Sequence, residues 1–514
     1  MKQSMLTGSL VILIGYLSII GVMSCTMEIK GSLQETVADG SSQGSTLEEE
    51  RADDKSPEDF QTEESHTENI NTEHTNTEEP HTDNIISPDT RSIRCGARSR
   101  RYRGPLCGTD NKPCKILRSE IVASTGKGFT SAPSLALDAQ QRPHITYNHN
   151  HGGYHGFHSF RTGANQWKTS KWSQPAAHLE IASNTKGQLS AVTYNGSYRH
   201  SLWRFEQEKW KVLHQWKGSY GGKPQTLDSD DVGCLHFTYK HKDKAELIYA
   251  RYQKGKWGQK SWSNLGFTQG ANIRLSPKGT PHIALWSRDA MQRKGGLFWT
   301  NASQKPAIVQ PEAAGGSRAQ MVLLEVTGEK NGIETPHILF NHLPNFRQKA
   351  VKGHLTYLSR ENGQWKRLTL ETNAHQPCRE PQAENETCQY DYTNHTPLAI
   401  VHGGTKETLR ILYTKHHYSG NLTAKCTGDP FPVPPPPHRC EWTGERKLNS
   451  TFIIARIEAG AIKKTTVQTD LKGLGRADAQ LDDKGNIHMV FHAIKPGSTK
   501  TNYPQVIYWM LGAK

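Results

Sequence analysis

A repeated pattern of about 46 residues constrains the fold of this chain more than any other feature. Three copies read PSLALDAQQRPHITYNH, ANIRLSPKGTPHIALWS and RADAQLDDKGNIHMVFH. Aligned on the His of the "PHI" tripeptide, the units have index residues at His144, Ala191, His236, His282, His337, Arg410 and His488. Each unit contains four short runs of strand-forming composition separated by turn signals.

Seven units of four strands predict an all-β chain folded as a seven-bladed β-propeller, and the count favours seven blades over six or eight. A single blade cannot bury both of its faces, so the units must pack into a ring. The last unit ends with QVIYWM and lacks a fourth strand. We expect residues 116–123, which precede the first unit, to supply that strand and so close the ring. The predicted propeller spans residues 115–514.

The N-terminal residues carry an export signal. An apolar run at 5–23 follows a lysine, as in secretory signals, and VMSC at 22–25 resembles a bacterial lipobox. We therefore expect residues 1–25 to be a signal peptide, with Cys25 as the lipidated residue. An uncleaved signal anchor is the alternative. In both cases the domain is exported, and Thr26 after the cysteine favours the outer membrane or the cell surface.

Charge divides the rest of the chain into two parts. Residues 26–90 hold 18 Asp/Glu against 3 Lys/Arg, with almost no aromatic residues, which predicts a disordered acidic linker. Residues 91–514 hold 59 Lys/Arg against 31 Asp/Glu, a net charge of +28. Such a charge attracts polyanions.

Eight cysteines remain after Cys25, and an oxidising compartment makes disulfides plausible for them. Two pairs lie close in sequence and are predicted to bond locally: Cys378 with Cys388, and Cys426 with Cys440. The other four allow three pairings that spacing does not separate, and they lie at Cys95, Cys107, Cys114 and Cys234. The first three belong to a lead-in at residues 91–114. A zinc site is the rival interpretation, although the Cys-x2-Cys spacing of zinc ribbons is absent.

The turn and strand motif D-x-x-G-x-x-H-I-x-Y resembles the sialidase-like, BNR-repeat propellers of secreted bacterial proteins, over residues 115–514. The resemblance implies the fold but gives almost no information about function. The aspartate box Ser-x-Asp-x-Gly-x-x-Trp of true sialidases is missing, with only remnants such as KGKW at 254–257 and NGQW at 362–365. Sialidase activity is therefore not expected.

The connections between second and third strands are long, whereas those between first and second strands are tight turns such as SPKGT. Elaborate loops on a rigid scaffold are the usual place for binding. The face with tight turns is therefore expected to be plain, that is, without elaborate segments that could form a binding site. Cations on or near the long loops are predicted to bind an anionic polysaccharide or envelope partner: Arg204, Lys240, Lys242, Arg251, Arg288, Arg293, Arg347, Lys415 and His416. Because the protein is predicted to be exported, nucleic acid is an unlikely ligand. We expect the protein to contact the membrane only through its lipid anchor and to be a monomer.

The first long loop is rich in His and Tyr: Tyr147, His149, His151, Tyr154, His155 and His158. No cofactor is expected, but a divalent metal at the His149–His158 loop is one interpretation, and acid–base chemistry or stacking on sugars are others. The "PHI" histidines could form a ring of ligands, although fold-keeping hydrogen bonds in every blade explain the repetition better.

In architecture and charge the chain is also similar to ulvan-type polysaccharide lyases. That similarity implies β-elimination, in which a cation neutralises a uronate and His or Tyr moves protons. The candidate catalytic residues are His149, His151, Tyr154, His155, Tyr239 and His241. The lyase interpretation requires that Arg204 and Arg251 lie in the same funnel as this loop. Our leading hypothesis is a non-catalytic, surface-tethered binder, and the lyase is the alternative. A scaffold that recognises another protein is a third hypothesis.

Overall fold

The protein is described here from a computed structural model. The described residues are 93, 95–98, 102, 106–107, 113–124, 132–150, 154–195, 199–217, 226–240, 246–263, 265, 267–288, 295–311, 318–330, 333–343, 353–373, 375–376, 385–403, 409–427, 439–444, 447–458, 461–467, 469–471, 475, 477–493 and 505–513. The predicted signal peptide, Cys25 and the acidic linker lie outside them. No helix within these ranges is long and apolar enough to cross a membrane.

The described secondary structure consists of strands alone. The first strand is β1 (Lys115–Ser124). Blade 1 contains β2 (Ser134–Leu137), β3 (Pro143–Asn150), β4 (Tyr154–Gly163) and β5 (Gln166–Lys171). Blade 2 contains β6 (His178–Ser183), β7 (Leu189–Tyr194), β8 (Arg199–Glu206) and β9 (Lys209–Lys217). Blade 3 contains β10 (Leu227–Ser229), β11 (Leu235–Lys240), β12 (Leu247–Gln253) and β13 (Lys256–Trp262).

The next two blades repeat this four-stranded arrangement. Blade 4 contains β14 (Phe267–Leu275), β15 (Pro281–Arg288), β16 (Gly295–Thr300) and β17 (Ala307–Pro311). Blade 5 contains β18 (Arg318–Lys330), β19 (Ile333–Leu343), β20 (His354–Glu361) and β21 (Gln364–Thr372).

Blade 6 is larger than the others. It contains β22 (His375–Gln376), β23 (Thr387–Val401), β24 (Arg410–Thr427), β25 (Arg439–Thr443), β26 (Lys447–Glu458) and β27 (Ala461–Val467). Its second main strand, β24, has 18 residues, whereas β11 in blade 3 has 6. The additional residues of β24 pair with β23 and β25 and extend this blade as a β-arm.

Blade 7 is assembled from both ends of the propeller sequence. It contains β28 (Ala477–Leu481), β29 (Ile487–Ala493), β30 (Gln505–Gly512) and β1. β1 pairs antiparallel with β30, from Lys115 opposite Gly512 to Ser124 opposite Gln505. The innermost strand of each blade contacts the innermost strand of both neighbouring blades, so the ring is closed. The predictions of seven blades and of closure by residues 116–123 are both confirmed.

The four strands of a blade are named A to D from the axis outward, and this defines two faces. The A–B and C–D turns lie on one face, called the A–B face. The B–C and D–A connections lie on the other, called the B–C face.

The core consists of apolar side chains packed between neighbouring blades, such as Phe237 of blade 3 against Leu202 of blade 2. Burial of both sides of each sheet is the main stabilising contribution.

The repeated histidines fasten the strands of a blade together, as the sequence analysis favours. Nε2 of His488 lies 3.2 Å from Oδ2 of Asp482 in the A–B turn, and Nδ1 lies 2.8 Å from the hydroxyl of Tyr508 on strand C. Because a carboxylate only accepts, Nε2–H donates to Asp482 and Nδ1 accepts from Tyr508.

The tyrosine half of this clasp recurs in blades 3 and 5. Tyr249 and Tyr357 bond Nδ1 of His236 and His337, at 2.7 and 2.6 Å. In every case the tyrosine lies two residues before the residue that pairs with the histidine across the B and C strands. These tyrosine contacts link strands B and C and give the index histidines of blades 3, 5 and 7 a structural role.

The structure selects one of the three open cysteine pairings. Cys95 bonds Cys234, and Cys107 bonds Cys114. Cys388 is disulfide-bonded, while Cys378 lies outside the described residues. Strand register places Cys426 directly opposite Cys440, as local pairing of these two requires.

Candidate functional site

The predicted His- and Tyr-rich loop is the B–C hairpin of blade 1. Its register places His149 opposite His155 and Asn150 opposite Tyr154, while His151 lies outside the described residues. Tyr154 is 43% exposed and His155 is half-buried. The hairpin therefore presents an exposed tyrosine at the B–C face.

The two remaining members of that loop are buried within the blade. The hydroxyl of Tyr147 lies 3.3 Å from Oγ of Ser159, and burial raises the pKa of Tyr147. Nε2 of His158 lies 3.0 Å from Nδ1 of His144, and burial holds the pKa of His158 well below its usual range. The described side chains of this loop therefore divide between the exposed end of the hairpin and the interior of the blade. The metal interpretation of this loop stays a prediction.

Arg204 and Arg251 lie near the C–D ends of strands β8 and β12, on the A–B face. A guanidinium nitrogen of Arg204 is 3.4 Å from the carbonyl oxygen of Gly233, in the A–B turn of the next blade. The blade 1 hairpin lies at the opposite ends of the strands. The expected grouping of these arginines with His149 and His155 in one funnel is therefore not found, and the cation-plus-base arrangement of β-elimination is not assembled from these residues.

Tyr239 lies near the B–C end of β11 but is buried between blades 2 and 3. Its hydroxyl donates to Oε1 of Gln259 at 3.0 Å. Burial raises the pKa of Tyr239, which disfavours the phenolate that a catalytic base would need.

The predicted cations are only partly within the described residues. Lys240 and Arg288 end strands β11 and β15 at the B–C face. Lys415 is exposed on β24, whereas His416 beside it is buried. Four further predicted positions lie outside the described residues: His241, Lys242, Arg293 and Arg347.

The described surface is strongly basic. Among the residues whose burial is described, 22 Lys/Arg are exposed against 5 Asp/Glu. Many of these cations lie on the D strands. On blades 1 to 3 the exposed lysines of the D strands, together with Lys254 in the C–D turn of blade 3, form what we call the outer wall: Lys168, Lys171, Lys209, Lys211, Lys217, Lys254, Lys256 and Lys260.

The outer wall is continuous from blade to blade. Nζ of Lys168 on blade 1 lies 2.6 Å from Glu208 of blade 2. Trp257 of blade 3 packs against Trp216 of blade 2, with ring centroids 4.9 Å apart. The sequence analysis selected cations on or near the long loops and did not consider the lysines of the outer strands. Lysines also protect exposed sheet edges from pairing with other chains.

Carboxylates are instead concentrated on the axis of the ring. Arg274 of blade 4 interacts with Asp228, Glu325, Asp478 and Glu180, which come from four other blades. Burial would lower the pKa of Arg274, but these charges raise it. Burial, together with Glu180, raises the pKa of Asp478 to about 6 against the opposing charge of Arg274. A charged residue within the A strand of blades 2, 3, 4, 5 and 7 is the sequence signal that could have found this group.

The lead-in covers part of the A–B face, which corrects the expectation of a plain face. The N–H of Gly96 donates to the carboxylate of Asp230, and the guanidinium of Arg98 pairs with Asp228, both in blade 3. Further along, Nε of Arg410 in blade 6 donates to the carbonyl oxygen of Cys107 at 2.7 Å. The lead-in therefore crosses from blade 3 to blade 6.

A cavity of about 110 Å³ lies at this end of the axis. It is lined by Arg98 and Tyr102 from the lead-in and by Arg274, Glu325 and His402 from the blades. Nε2 of His402 is 3.2 Å from Oε1 of Glu325. The lining is polar, and the cavity is small for an organic ligand.

A larger groove of about 640 Å³ runs between blades 6 and 7. Its lining includes the hydroxyl groups of Ser450, Thr451 and Thr466 together with Trp509. The groove offers hydrogen-bonding groups but little charge.

One group of potential metal ligands occurs among the described residues. Ligand atoms of Cys95, Asp230, Cys234 and His236 all lie within 4.8 Å of one another. Two of the four are the cysteines of a disulfide.

Comparisons with known proteins find likeness in fold. No family model and no curated protein matches the chain. A protein of unknown function from Dyadobacter fermentans DSM 18053 is 9% identical, covering 78% of this chain and 99% of that chain with a TM-score of 0.40. The β-propeller domain of Cps50 (Swd1) from Myceliophteria thermophila is 8% identical, covering 78% and 100% with a TM-score of 0.37. A fucose-specific lectin from Aleuria aurantia is 12% identical, covering 57% and 93% with a TM-score of 0.34. The seven-bladed propeller is established by the strand pairing of this chain, and its function has to be argued from its own residues.

Proposed function

We propose that the propeller is a non-catalytic binding module for an anionic polysaccharide, held at the cell surface through lipid on Cys25, and that the outer wall is a main contact surface. The observation that carries this proposal is the separation of charge. Exposed cations outnumber exposed acids more than fourfold in the described surface. By contrast, the carboxylates considered next are buried in the protein or paired with its own groups.

The fate of individual carboxylates supports this argument. Asp138 and Asp482 accept backbone N–H groups within their own A–B turns. Asp228 and Glu325 pair with arginines. Because these groups are buried or paired, they screen the surface lysines very little, and the net positive charge of the domain acts outward.

The outer wall suits an extended ligand better than a compact one. Its lysines are distributed over three adjacent blades rather than gathered around a pocket. Two of them are partly neutralised, since Lys168 pairs with Glu208 and Lys211 with Glu206. A polymer with regularly spaced charges would contact several of the remaining lysines at once, and binding would weaken steeply with salt.

Binding of heparin and of polygalacturonate, measured by titration calorimetry over a range of salt concentrations, tests the proposal. The outer-wall variant carries Lys209→Gln, Lys217→Gln and Lys256→Gln. The matched control loses the same charge from exposed positions elsewhere: Lys305→Gln, Arg367→Gln and Lys425→Gln. We expect the outer-wall variant to reduce the slope of log K against log salt by about 2, and the control to change it much less.

Three outcomes would contradict the proposal. The first is no binding of either polysaccharide at low salt. The second is an equal loss in both variants, which would show that net charge and not the outer wall decides. The third is tighter binding of single-stranded DNA than of both polysaccharides at the same salt concentration. Loss of membrane association in Cys25→Ser tests the lipid tether separately.

A further inference from the structure

Blade 3 lacks the Asp–His contact that blades 1 and 7 share. In blades 1 and 7 an Asp six residues before the index His lies 3.2 Å from its Nε2. Blade 3 has the same spacing, with Asp230 and His236. Here, however, Nε2 of His236 has no hydrogen-bond partner among the described residues, although His236 is only 1% exposed.

The carboxylate of Asp230 does not bond His236 because backbone N–H groups of the lead-in and of its own turn occupy both of its oxygens. One oxygen accepts the backbone N–H of Gly96. The other accepts the N–H groups of Val232 and Cys234, at 3.0 and 2.7 Å. The imidazole is thus left with a buried nitrogen to which no residue in the described part of the chain bonds. An unsatisfied buried nitrogen carries a free-energy cost unless something binds it.

The groups around that imidazole are all metal ligands. Cys95, Asp230, Cys234 and His236 bring their ligand atoms within 4.8 Å of one another. Three of them are buried, and Cys95 is half-buried. Two thiolates, an imidazole and a carboxylate are a donor set that suits tetrahedral zinc, while calcium and magnesium prefer oxygen ligands alone.

We propose that this cluster is a redox-dependent zinc site, in which Cys95, Cys234 and His236 bind the ion when the disulfide is open, with Asp230 or water as the fourth ligand. Opening requires a thiol reductant. Two RSH reduce the Cys95–Cys234 bond to two cysteine thiols and become RSSR. Zn²⁺ then binds the two sulfurs and displaces two protons. In the oxidised form both sulfurs are consumed by the S–S bond, so the ion is released.

The hydrogen bonds around His236 fit this role. Its Nδ1 lies 2.7 Å from the hydroxyl oxygen of Tyr249. If Nε2 holds the metal, Nδ1 carries the proton and donates to that oxygen, which fixes the tautomer and the orientation of the ring. Since Cys95 belongs to the lead-in and Cys234 to blade 3, the zinc form would hold the lead-in on the A–B face before the disulfide closes.

Cobalt and zinc binding to the full chain tests the proposal. Co²⁺ added to the reduced protein should give a thiolate-to-cobalt charge-transfer band, at one ion per chain, that Zn²⁺ removes. The oxidised protein should give none. His236→Asn removes Nε2 but keeps a group able to bond Tyr249, and we expect it to weaken binding more than about tenfold. Cys107→Ser, in the other disulfide of the lead-in, is the matched control and should leave the affinity unchanged.

A site-resolved measurement keeps the test valid if a variant fails to fold. In the reduced wild type, Zn²⁺ should slow alkylation of Cys95 and Cys234, read by mass spectrometry, and leave Cys107 and Cys114 unprotected. Absence of the cobalt band in reduced wild type would overturn the proposal. So would unchanged affinity in His236→Asn, or equal zinc protection of all four cysteines.

Discussion

The A–B turn of blade 1 allows a prediction that can be worked out from the structure. The carboxylate of Asp138 accepts the backbone N–H groups of Gln140 and Arg142 at 2.9 and 2.8 Å. It also accepts Nε–H of Arg142 at 2.7 Å and Nε2–H of His144 at 3.2 Å. Asp138→Asn removes the negative charge but nearly keeps the shape of the side chain. One carboxylate oxygen, an acceptor, is replaced by an amide NH2 group, which is a donor and therefore faces the N–H donors named above.

The pKa of Asp138 gives the magnitude. Burial favours the neutral form, but the hydrogen bonds from His144 and from the backbone and guanidinium of Arg142 outweigh it and lower the pKa from 3.8 to about 2. The difference corresponds to about 2.5 kcal/mol. Since the Arg142 side chain is 45% exposed, we expect about 2 kcal/mol. A lowered carboxyl pKa stabilises the fold above pH 4, and this contribution disappears as the pH falls from about 4 to 2.

Urea unfolding of wild type and Asp138→Asn at pH 7 and at pH 2 measures this difference. We expect the variant to be less stable by about 2 kcal/mol at pH 7, with the difference shrinking towards zero at pH 2. Asp483→Asn, at an exposed position in the A–B turn of blade 7, should change stability by less than about 0.5 kcal/mol. A variant as stable as wild type at pH 7, or a difference that persists undiminished at pH 2, would refute the reasoning.

Three further predictions concern the clasp and the lead-in. Tyr508→Phe leaves Nδ1 of buried His488 without its donor and should lower the free energy of unfolding by about 1 to 3 kcal/mol in urea titrations. Gly279→Ala should lower the melting temperature more than Gly255→Ala. Both glycines have φ near +85°, but a Cβ at the first would lie 1.9 Å from a lead-in carbonyl oxygen, while the second faces open space. Arg410→Met removes the donor to two lead-in carbonyl groups and should speed limited proteolysis of the lead-in.

Each of these predictions has a contrary outcome. An unchanged stability of Tyr508→Phe, with exposed Tyr154→Phe as control, would show that water replaces the hydroxyl. Equal effects of the two glycine substitutions would mean that backbone strain alone decides. An unchanged digestion pattern in Arg410→Met would mean that the disulfides alone hold the lead-in.

The ring was predictable from the sequence because its determinants are local and repeated. In the described A–B turns, those of blades 1 to 4 and 7, one residue has positive φ, and Gly233, Gly279 and Gly485 occur at the same point of their units. The index His then marks strand B. The extended arm of blade 6 was not predictable, since its pairing of β23 with β24 lies in an insertion without a counterpart in the other units.

The candidate site was less predictable because it depends on contacts between distant residues. Nothing in the local sequence shows that Cys95 reaches Cys234 or that Arg98 reaches Asp228. The predicted grouping of Arg204 with the blade 1 hairpin was wrong because it treated cations near a loop in sequence as near it in space. Position along a strand of known direction decides the face, and that requires the strand bounds.

The pairing of β1 with β30 has a kinetic consequence. Its two partners are separated by nearly the whole propeller sequence, from Ser124 to Gln505. During synthesis or translocation the first six sheets can form progressively, but the seventh must wait until the final strand has emerged. In a partly synthesised chain the ring therefore stays open, and the sheet surfaces on either side of the gap are exposed. The long loop that must be closed makes this last step slow and the species before it prone to aggregation.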